Sequence, residues 1–484
     1  MDQLTIEEAI AKVSGNYAYQ KRTLLILSLS QLALSFIIMG LPFMLPPGEL
    51  DCDSEGICKI PEKLLNTATA DFHLFGTKKY LIGLVGTFYF IGMMIGALFI
   101  SWISDTYGRQ KTVKFFTLLG IPVMLLIAFS WNIWAIVVSY FFVGMLEIGI
   151  YVPGFIMLTE YVENAHRNLF SGIFFSCWGI FAIFLSILYI LSIPWRITFI
   201  LASLALLAQY FLMNYIYESP RFLLVNHKNI EETIIVLNSI SIINGAGSFD
   251  SSIKHEIIEE QISHSYLSFF QNKYLFKKFS ICSILWFNIV LTYYGMVFIM
   301  PSLFPNVYIE GAVMALAETI ASFLATYFIN KIGRKKSAII CFIIGGISFT
   351  IIWILPKFLS ETSANKGILL FSAIGRFFVG AEFFLIYIYT AELFPTRVRN
   401  MAFGICNVIG RIAGMISSNL LTICLVIGIN PAAIMAISLI ISSILSTFLE
   451  ETLGKNMLEF IEQKSENPSE EEIGDNQVVY KQID

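Results

Sequence analysis

The sequence is poor in charged residues. Only 14% of its 484 residues are Asp, Glu, Lys or Arg, whereas soluble globular domains carry about a quarter. Hydrophobic residues make up 56% of the chain, and its net charge is −4. This composition excludes an ordinary soluble domain, and the lack of a basic excess gives no electrostatic basis for binding nucleic acid. We expect the chain to lie in a lipid bilayer.

The sequence motifs of common enzymes are also missing. The chain has no Walker A sequence and no His-Glu-x-x-His, and its five His lie in loops or near the ends of apolar runs. No Cys or His group has the spacing of a zinc site. We therefore expect no catalytic residues, no bound metal and no cofactor, and the sequence gives no support for an ATP-driven pump.

Cysteine is scarce in the polar segments. Five of the seven Cys fall within apolar runs, where we expect them to act as small buried hydrophobic residues. Cys52 and Cys58 share a polar loop that we place outside the cell. Their spacing does not decide between a disulfide and two free thiols. No Asn-x-Ser/Thr acceptor occurs, so we do not expect N-glycosylation of this loop.

Long apolar runs are what the chain does contain. Because a membrane helix needs about 20 apolar residues, the sequence predicts twelve spans, at 23–45, 80–103, 112–130, 133–159, 169–191, 196–217, 279–304, 309–330, 337–356, 367–391, 401–425 and 430–449. Basic residues cluster after even-numbered spans, as in the segments 109–114 and 331–336. That face is predicted to be cytoplasmic. Both termini then lie in the cytoplasm, and we take the plasma membrane as the default location.

The spans divide the chain into five parts. We predict a cytoplasmic N-terminus (1–22), an N-terminal six-helix bundle (23–217), a cytoplasmic linker (218–278), a C-terminal six-helix bundle (279–451) and an acidic tail (452–484). Short helices are expected in the linker around Ile230–Ile240 and Ile253–Ile262. The tail is predicted to be disordered, because it lacks the apolar residues that offset the entropy of ordering.

A charged signature occurs twice, at about half the chain length. Glu160 and Arg167 end the fourth apolar stretch with six residues between them, and Glu392 and Arg399 end the tenth in the same way. Further segments recur in the same order at offsets of 225 to 232 residues, namely Asp105–Arg109 with Asn330–Arg334, and Glu218–Arg221 with Glu450–Gly454. The pattern indicates an internal duplication, which is how many secondary transporters arose.

These charged residues share one membrane face. We expect carboxylate–guanidinium pairs there to lock the cytoplasmic ends of the two halves together. Each pair borders water and contributes about 1 kcal/mol or less, so only a set of them would favour an outward-open state. The alternative is that they fix topology and helix packing. The predicted cytoplasmic gate consists of Asp105, Arg109, Glu160, Arg167, Glu218, Arg334, Glu392, Arg399 and Glu450.

The Asp-x-x-Gly-Arg loop and its second copy resemble those of the major facilitator superfamily. The segments YESPRFLL (217–224), LWFNIVLTYYG (285–295), AETIASFLATYFINKIGRKK (317–336) and YIYTAELFPTRVRNMAFG (387–404) are similar to the organic cation, anion and carnitine transporter family and to synaptic-vesicle-2-related proteins. The resemblance spans residues 10–455. It implies an all-α membrane protein with twelve transmembrane helices in two six-helix pseudo-repeats. Asn330 departs from the usual Asp.

Ionisable residues inside the apolar runs are candidates for substrate binding, because each costs several kcal/mol unless it is paired or solvated. They are Arg411, Glu382, Glu147 and Glu318, and Arg376 also lies within the tenth run. In the family that this chain resembles, the position of Arg411 carries Arg in anion and carnitine transporters and an acidic residue in cation transporters. We expect Arg411 to bind an anionic group of the solute. The alternative is a fixed ion pair with Glu382 or Glu147.

Other candidate site residues depend on where their side chains lie in the fold. Trp286 and Tyr294 are eight residues apart and share a helix face, which forms either a cavity wall or ordinary packing. Glu382 is a proton-sensitive carboxyl if it is buried, and Glu147 has the same property. Glu318 either takes part in binding or packs helices through hydrogen bonds.

The leading functional prediction is a secondary transporter of a small organic ion, anionic or zwitterionic, that works by alternating access. Its expected partners are the organic solute, a proton or counter-ion, and the lipid bilayer. One alternative is a sugar or neutral-solute porter of the same fold. A second alternative is a non-transporting receptor or scaffold.

Overall fold

Almost all of the described chain is helical. The structure is a computed structural model that describes residues 4–52, 58–225, 229–249, 273–303 and 305–454. The α-helices are α1 Ile6–Val13, α2 Ala18–Ile38, α3 Gly40–Met44, α4 Ala68–Asp71, α5 Tyr80–Tyr107, α6 Arg109–Ala128, α7 Ile133–Glu160, α8 Asn164–Ile190, α9 Trp195–Leu212, α10 Pro220–Val225, α11 Ile230–Ile243, α12 Lys273–Leu303, α13 Val307–Ile332, α14 Arg334–Phe358, α15 Glu361–Leu393, α16 Thr396–Ser418, α17 Leu420–Ile427 and α18 Pro431–Ser446. Short 3-10 helices cover Glu62–Leu64, Gly76–Lys79 and Met213–Tyr215.

Two short strands lie in the loop that the sequence places outside the cell, at what we call the outer end of the bundle. Strand β1 (Asp51–Cys52) pairs antiparallel with β2 (Cys58–Lys59), and the register places Cys52 opposite Cys58. The segment between the strands lies outside the described residues. A disulfide between the two Cys stays a prediction.

The prediction of an all-α membrane fold is confirmed. Within the described residues, eleven helices are long and apolar enough to cross a membrane. The pair α17 and α18, bent by 107°, passes the same test together, which gives up to twelve spans. The predicted eleventh span, 401–425, is divided at Asn419, where α16 ends before α17 begins.

The helices form two halves with matching backbones. Helices α2 and α5–α9 pack among themselves, as do α12–α16 and α18, and the halves meet along α8–α13 and α5–α16. Gly108 has φ 108° and ψ 155° before α6, and Gly333 has φ 101° and ψ 159° before α14. Only Gly adopts this conformation readily. The duplication read from the sequence is therefore also present in the backbone.

Close helix packing brings α5 and α7 into backbone contact. A Cβ atom on Gly92 would collide with the carbonyl group of Phe141, and one on Gly144 would collide with the carbonyl group of Tyr89. Small residues allow this approach between membrane helices. The contact sets Tyr89 of α5 beside Glu147, which lies one turn beyond Gly144 on α7.

The outer ends of the two halves are packed together. The ring of Phe43 lies 5.3 Å from that of Tyr308, and the rings of Tyr189 and Tyr308 stack at 5.5 Å. On the other side of the bundle, Asn419 Nδ2 donates to Thr87 Oγ1 at 2.7 Å. Each of these contacts joins the two halves, so this arrangement is closed at its outer end.

The N-terminal helix and the linker cover the face of the N-terminal half that the sequence predicts to be cytoplasmic. Helix α1 buries its apolar side, formed by Ile6, Ala9, Ile10 and Val13, and it packs against α11. Asn244 Nδ2 donates to the Val13 carbonyl at 2.8 Å, and its Oδ1 accepts from the Tyr19 amide at 2.8 Å. Helix α11 lies where the sequence predicts a linker helix. The helix predicted around Ile253–Ile262 and the tail from residue 455 lie outside the described residues.

Candidate functional site

A buried cluster surrounds Arg411 where the two halves meet. The Arg411 guanidinium lies within electrostatic range of Tyr387, Tyr294, Tyr89 and Glu147. Arg411 is only 8% exposed and Glu147 only 9%. We call these five residues the arginine–tyrosine cluster. Tyr89 and Glu147 come from the N-terminal half, and the other three come from the C-terminal half.

Within the cluster, Glu147 is held by a tyrosine, and one donor of Arg411 is free. The Tyr89 hydroxyl donates to Glu147 Oε2. Among the described residues, Arg411 forms no ion pair within 4.0 Å, and its buried Nε has no hydrogen-bond partner. The fixed pair of Arg411 with Glu147 or Glu382, considered from the sequence, is thus not formed here. A guanidinium with an unused donor and no fixed counter-charge can bind an anionic group.

The two predicted aromatic residues take different positions. The ring of Tyr294 lies 4.8 Å from that of Phe90, edge to face across the interface between the halves. Trp286 is packed behind the cluster, because its ring lies 4.6 Å from that of Tyr387 and its Nε1 donates to Thr390 Oγ1 at 2.9 Å. Tyr294 therefore reaches Arg411 directly, whereas Trp286 supports Tyr387.

Glu318 belongs to a second buried network, inside the C-terminal half. Its Oε2 accepts from Arg376 Nη2 at 2.6 Å and from Arg376 Nε at 3.1 Å. Arg376 Nη1 donates to the Tyr293 carbonyl at 2.7 Å, and the Tyr293 hydroxyl donates to Glu318 Oε1. The guanidinium also lies 3.9 Å from the centre of the Tyr293 ring. This network ties α12, α13 and α15 together, and a role for Glu318 in binding stays a prediction.

Two buried acidic residues have no hydrogen-bond partner among the described residues. In Glu382, both carboxyl oxygens are buried and accept no hydrogen bond from a described residue. The Glu382 side chain lies within electrostatic range of Cys341 on α14. Glu382 thus lies apart from the arginine–tyrosine cluster, and its predicted role stays a prediction. Glu310, in the first turn of α13, is also buried with both oxygens unpartnered. Sequence reasoning missed it because it stands at the end of an apolar run.

The predicted gate residues of the N-terminal half gather around the start of α6. Arg109 Nη2 lies 3.5 Å from Asp105 Oδ1, and Arg109 Nε lies 3.4 Å from Glu160 Oε2. The Glu218 carboxylate accepts from the amides of Arg109 at 2.9 Å and Gln110 at 3.1 Å. It therefore caps the positive end of the helix.

The C-terminal half has the same arrangement of charges at the start of α14, except that the capping carboxylate is one residue later than predicted. Arg334 Nε and Nη2 each lie 3.0 Å from a Glu392 oxygen, as a bidentate pair. The cap of α14 is Glu451, whose Oε1 accepts from the Arg334 amide at 2.8 Å. Glu451 is thus the counterpart of Glu218, whereas the predicted Glu450 pairs with Lys278 at 3.4 Å. Partial burial acts to raise the pKa of Glu451, but the amides of Leu453, Arg334 and Thr452 outweigh it and hold that pKa below its usual value.

The last two gate residues hold the loops after the fourth and tenth spans. Arg167 donates to the Val162 carbonyl at 3.4 Å, and Arg399 donates to the Phe394 carbonyl at 3.3 Å, five residues earlier in both cases. Every ion pair found at this face among the described residues joins parts of the same half. A lock between the halves stays a prediction for the outward-open arrangement.

We expect Glu392→Ala to lower the free energy of unfolding by about 2 kcal/mol, because it removes two charge-assisted hydrogen bonds from partly buried Arg334. The midpoint of thermal unfolding of the purified protein measures this. Glu49→Ala is the matched control, since Glu49 pairs with Lys79 at 3.0 Å but is 86% exposed. Equal midpoints for the two variants would contradict a structural role for the Arg334–Glu392 pair.

The fold and the duplicated charged loops define a secondary transporter with two six-helix halves. The sequence profile of the family "Sugar (and other) transporter" matches residues 58–463. The chain therefore belongs to this family, and its fold is that of the major facilitator superfamily.

Comparison with individual proteins agrees with this assignment. The chain is 27% identical over 409 residues to organic cation/carnitine transporter 2 of Homo sapiens, covering 82% of the chain and 72% of that protein. It is 27% identical over 476 residues to solute carrier family 22 member 15-like of Xenopus tropicalis, covering 95% and 96%. The xylose transporter XylE of E. coli, solved in an inward open conformation, matches with a TM-score of 0.67 at 14% identity, over 90% of this chain and 97% of XylE. At that identity the structural likeness shows the fold alone.

Proposed function

We propose that this transporter carries a small organic ion, anionic or zwitterionic, and that Arg411 binds its anionic group. The observation that supports the proposal is a guanidinium buried between the halves with no ion-pair partner among the described residues. Arg keeps its charge at physiological pH, and a charge inside a membrane protein is costly unless it is paired. A carboxylate of the solute supplies the missing partner.

The rest of the cluster suits a cationic group on the same solute. Glu147 carries an acceptor that is already oriented by Tyr89, and Tyr294 and Tyr387 lie within electrostatic range of Arg411. Carboxylates and aromatic faces both attract ammonium groups. The relatives named for carnitine transport agree with this proposal, because carnitine carries a carboxylate and a quaternary ammonium.

The position of the cluster supports a mechanism of alternating access. Its residues come from both halves, all of them except the partly buried Tyr387 are buried, and the outer ends of the halves are packed together. A solute bound there reaches either side only when the halves move against each other.

We propose Glu382 as the group that couples a proton to this movement, because its buried carboxyl lacks a hydrogen-bond partner among the described residues.

A ligand screen on the purified full chain tests the solute class. The midpoint of thermal unfolding is measured with carnitine and betaines, an aliphatic dicarboxylate, tetraethylammonium and hexoses. A bound ligand raises the midpoint by mass action, and we expect zwitterions or anions to do so. Stabilisation by hexoses alone would instead establish the sugar-porter alternative. No stabilisation and no uptake into liposomes for any class would favour a receptor or scaffold.

A further inference from the structure

A cavity separates the two halves near their cytoplasmic ends. It has a volume of about 550 Å³ and lies between α8 and α13. Its lining comes from α8 and α13: Asn168, Leu169 and Gly172 on α8, and Phe323, Tyr327, Asn330 and Lys331 on α13. None of these residues belongs to the arginine–tyrosine cluster or to the predicted gate, so the cavity is a separate site.

The mouth of this cavity faces the lipid. On α13, Leu316, Ile320, Phe323 and Tyr327 are all exposed, and their spacing of three or four residues places them on one side of the helix. On α8, the exposed residues Leu169, Ile180, Phe184 and Ile187 form a similar apolar stripe along one side of the helix. Exposed apolar stripes on membrane-spanning helices contact acyl chains. The cavity is therefore entered from the bilayer.

Its polar residues lie at the depth of lipid headgroups. Lys331 is in the last turn of α13, three residues before Arg334, which begins α14 at the face that we place in the cytoplasm. Its Nζ lies 5.8 Å from the centre of the Tyr327 ring, and Tyr is typical of the membrane–water boundary. Phe323, one turn further into the bilayer, is apolar and 57% exposed. The wall thus changes from basic to aromatic to apolar over two turns, which matches the polarity of a phospholipid.

We propose that the cavity binds one anionic glycerophospholipid of the cytoplasmic leaflet. Lys331 contacts the phosphate, because its ammonium is a compact charge with three donors. An acyl chain lies against Phe323 and Leu169. Gly172 leaves room for the chain, since a Cβ atom added there would meet nothing within 4 Å.

The position of the lipid gives it a role in the transport cycle. The cavity lies between one helix of each half, so closing the cytoplasmic ends of the halves would compress it. A ligand shifts a conformational equilibrium toward the state that it binds better. The bound lipid therefore stabilises the arrangement seen here, with α8 and α13 separated at their cytoplasmic ends.

Native mass spectrometry of the purified full chain, titrated with lipids in detergent, tests the site. Phosphatidylglycerol is compared with phosphatidylcholine of the same acyl chains and with glycerol 3-phosphate alone. We expect phosphatidylglycerol to bind most tightly. Lys331→Gln should lower the affinity for phosphatidylglycerol about fivefold, because it removes one basic contact of about 1 kcal/mol at a membrane surface. Gly172→Leu fills the cavity and should weaken the binding of both phosphatidylglycerol and phosphatidylcholine.

Two matched variants separate this site from general effects. Lys336→Gln removes the same charge outside the cavity lining, and Gly404→Leu makes the same substitution at another Gly with open space around it. Both should leave lipid binding unchanged. The proposal is overturned if Lys336→Gln weakens phosphatidylglycerol as much as Lys331→Gln does, if wild-type protein binds both lipids equally, or if glycerol 3-phosphate displaces the lipid at equal concentration.

Discussion

Arg411→Ala is expected to weaken binding of the anionic or zwitterionic solute at least thirtyfold. Truncating one partner of a buried charge pair costs about 2 kcal/mol or more, and about 1.4 kcal/mol corresponds to a factor of ten. Arg411→Lys should be intermediate, because it keeps the charge but loses the planar set of donors. The measurement is the dissociation constant of the best ligand from the screen, obtained by calorimetry on each purified variant.

The same substitution should leave the folded protein intact. Arg411 forms no ion pair with a described residue, and Glu147 keeps its bond to Tyr89, so the thermal midpoint of Arg411→Ala without ligand should stay near that of the wild type. Lys357→Ala is the control for general electrostatics, since Lys357 lies at the outer end of α14 with its ammonium 4.5 Å from the Trp353 ring. Unchanged affinity in both Arg411 variants would remove this residue from the binding site.

The parts of the site that could be predicted from sequence are those where a residue type is rare in its surroundings. Arg411 and Glu147 stand out because charged residues are scarce in apolar runs. Tyr89 and Tyr387 could not be predicted as site residues, because aromatic residues make up 15% of the chain and occur in nearly every span. Their importance comes from the packing of α5 on α7 and of α15 on α16, which brings them to Arg411.

The fold was more predictable than the pairing of its charges. Length and hydropathy suffice to place the spans, whereas pairing depends on rotation and register of the helices. The cap of α14 shows this, since Glu451 rather than its neighbour Glu450 reaches the Arg334 amide. Glu318 and Arg376 are 58 residues apart and lie on different helices, so no local sequence pattern relates them. The break at Asn419 was also missed, because the apolar residues continue through it.

The buried network of Glu318 and Arg376 gives the largest expected effect on stability. Both side chains are almost fully buried, at 6% and 0% exposed. Removing one partner of such a pair costs about 3–5 kcal/mol, because the other charge stays buried without compensation. We therefore expect Arg376→Met to lower the free energy of unfolding by this amount, and Glu318→Met to do the same.

The double variant decides whether the cost comes from the broken pair. With both residues replaced by Met, no charge is left unpaired, and replacement of buried ion pairs by apolar residues is often neutral or stabilising. We expect the double variant to be more stable than either single variant, with thermal unfolding of the three proteins and the wild type giving the coupling energy. Simple addition of the two losses would mean that Glu318 and Arg376 act independently. In that case the Tyr293 carbonyl, which accepts from Arg376 Nη1, would be the more important partner.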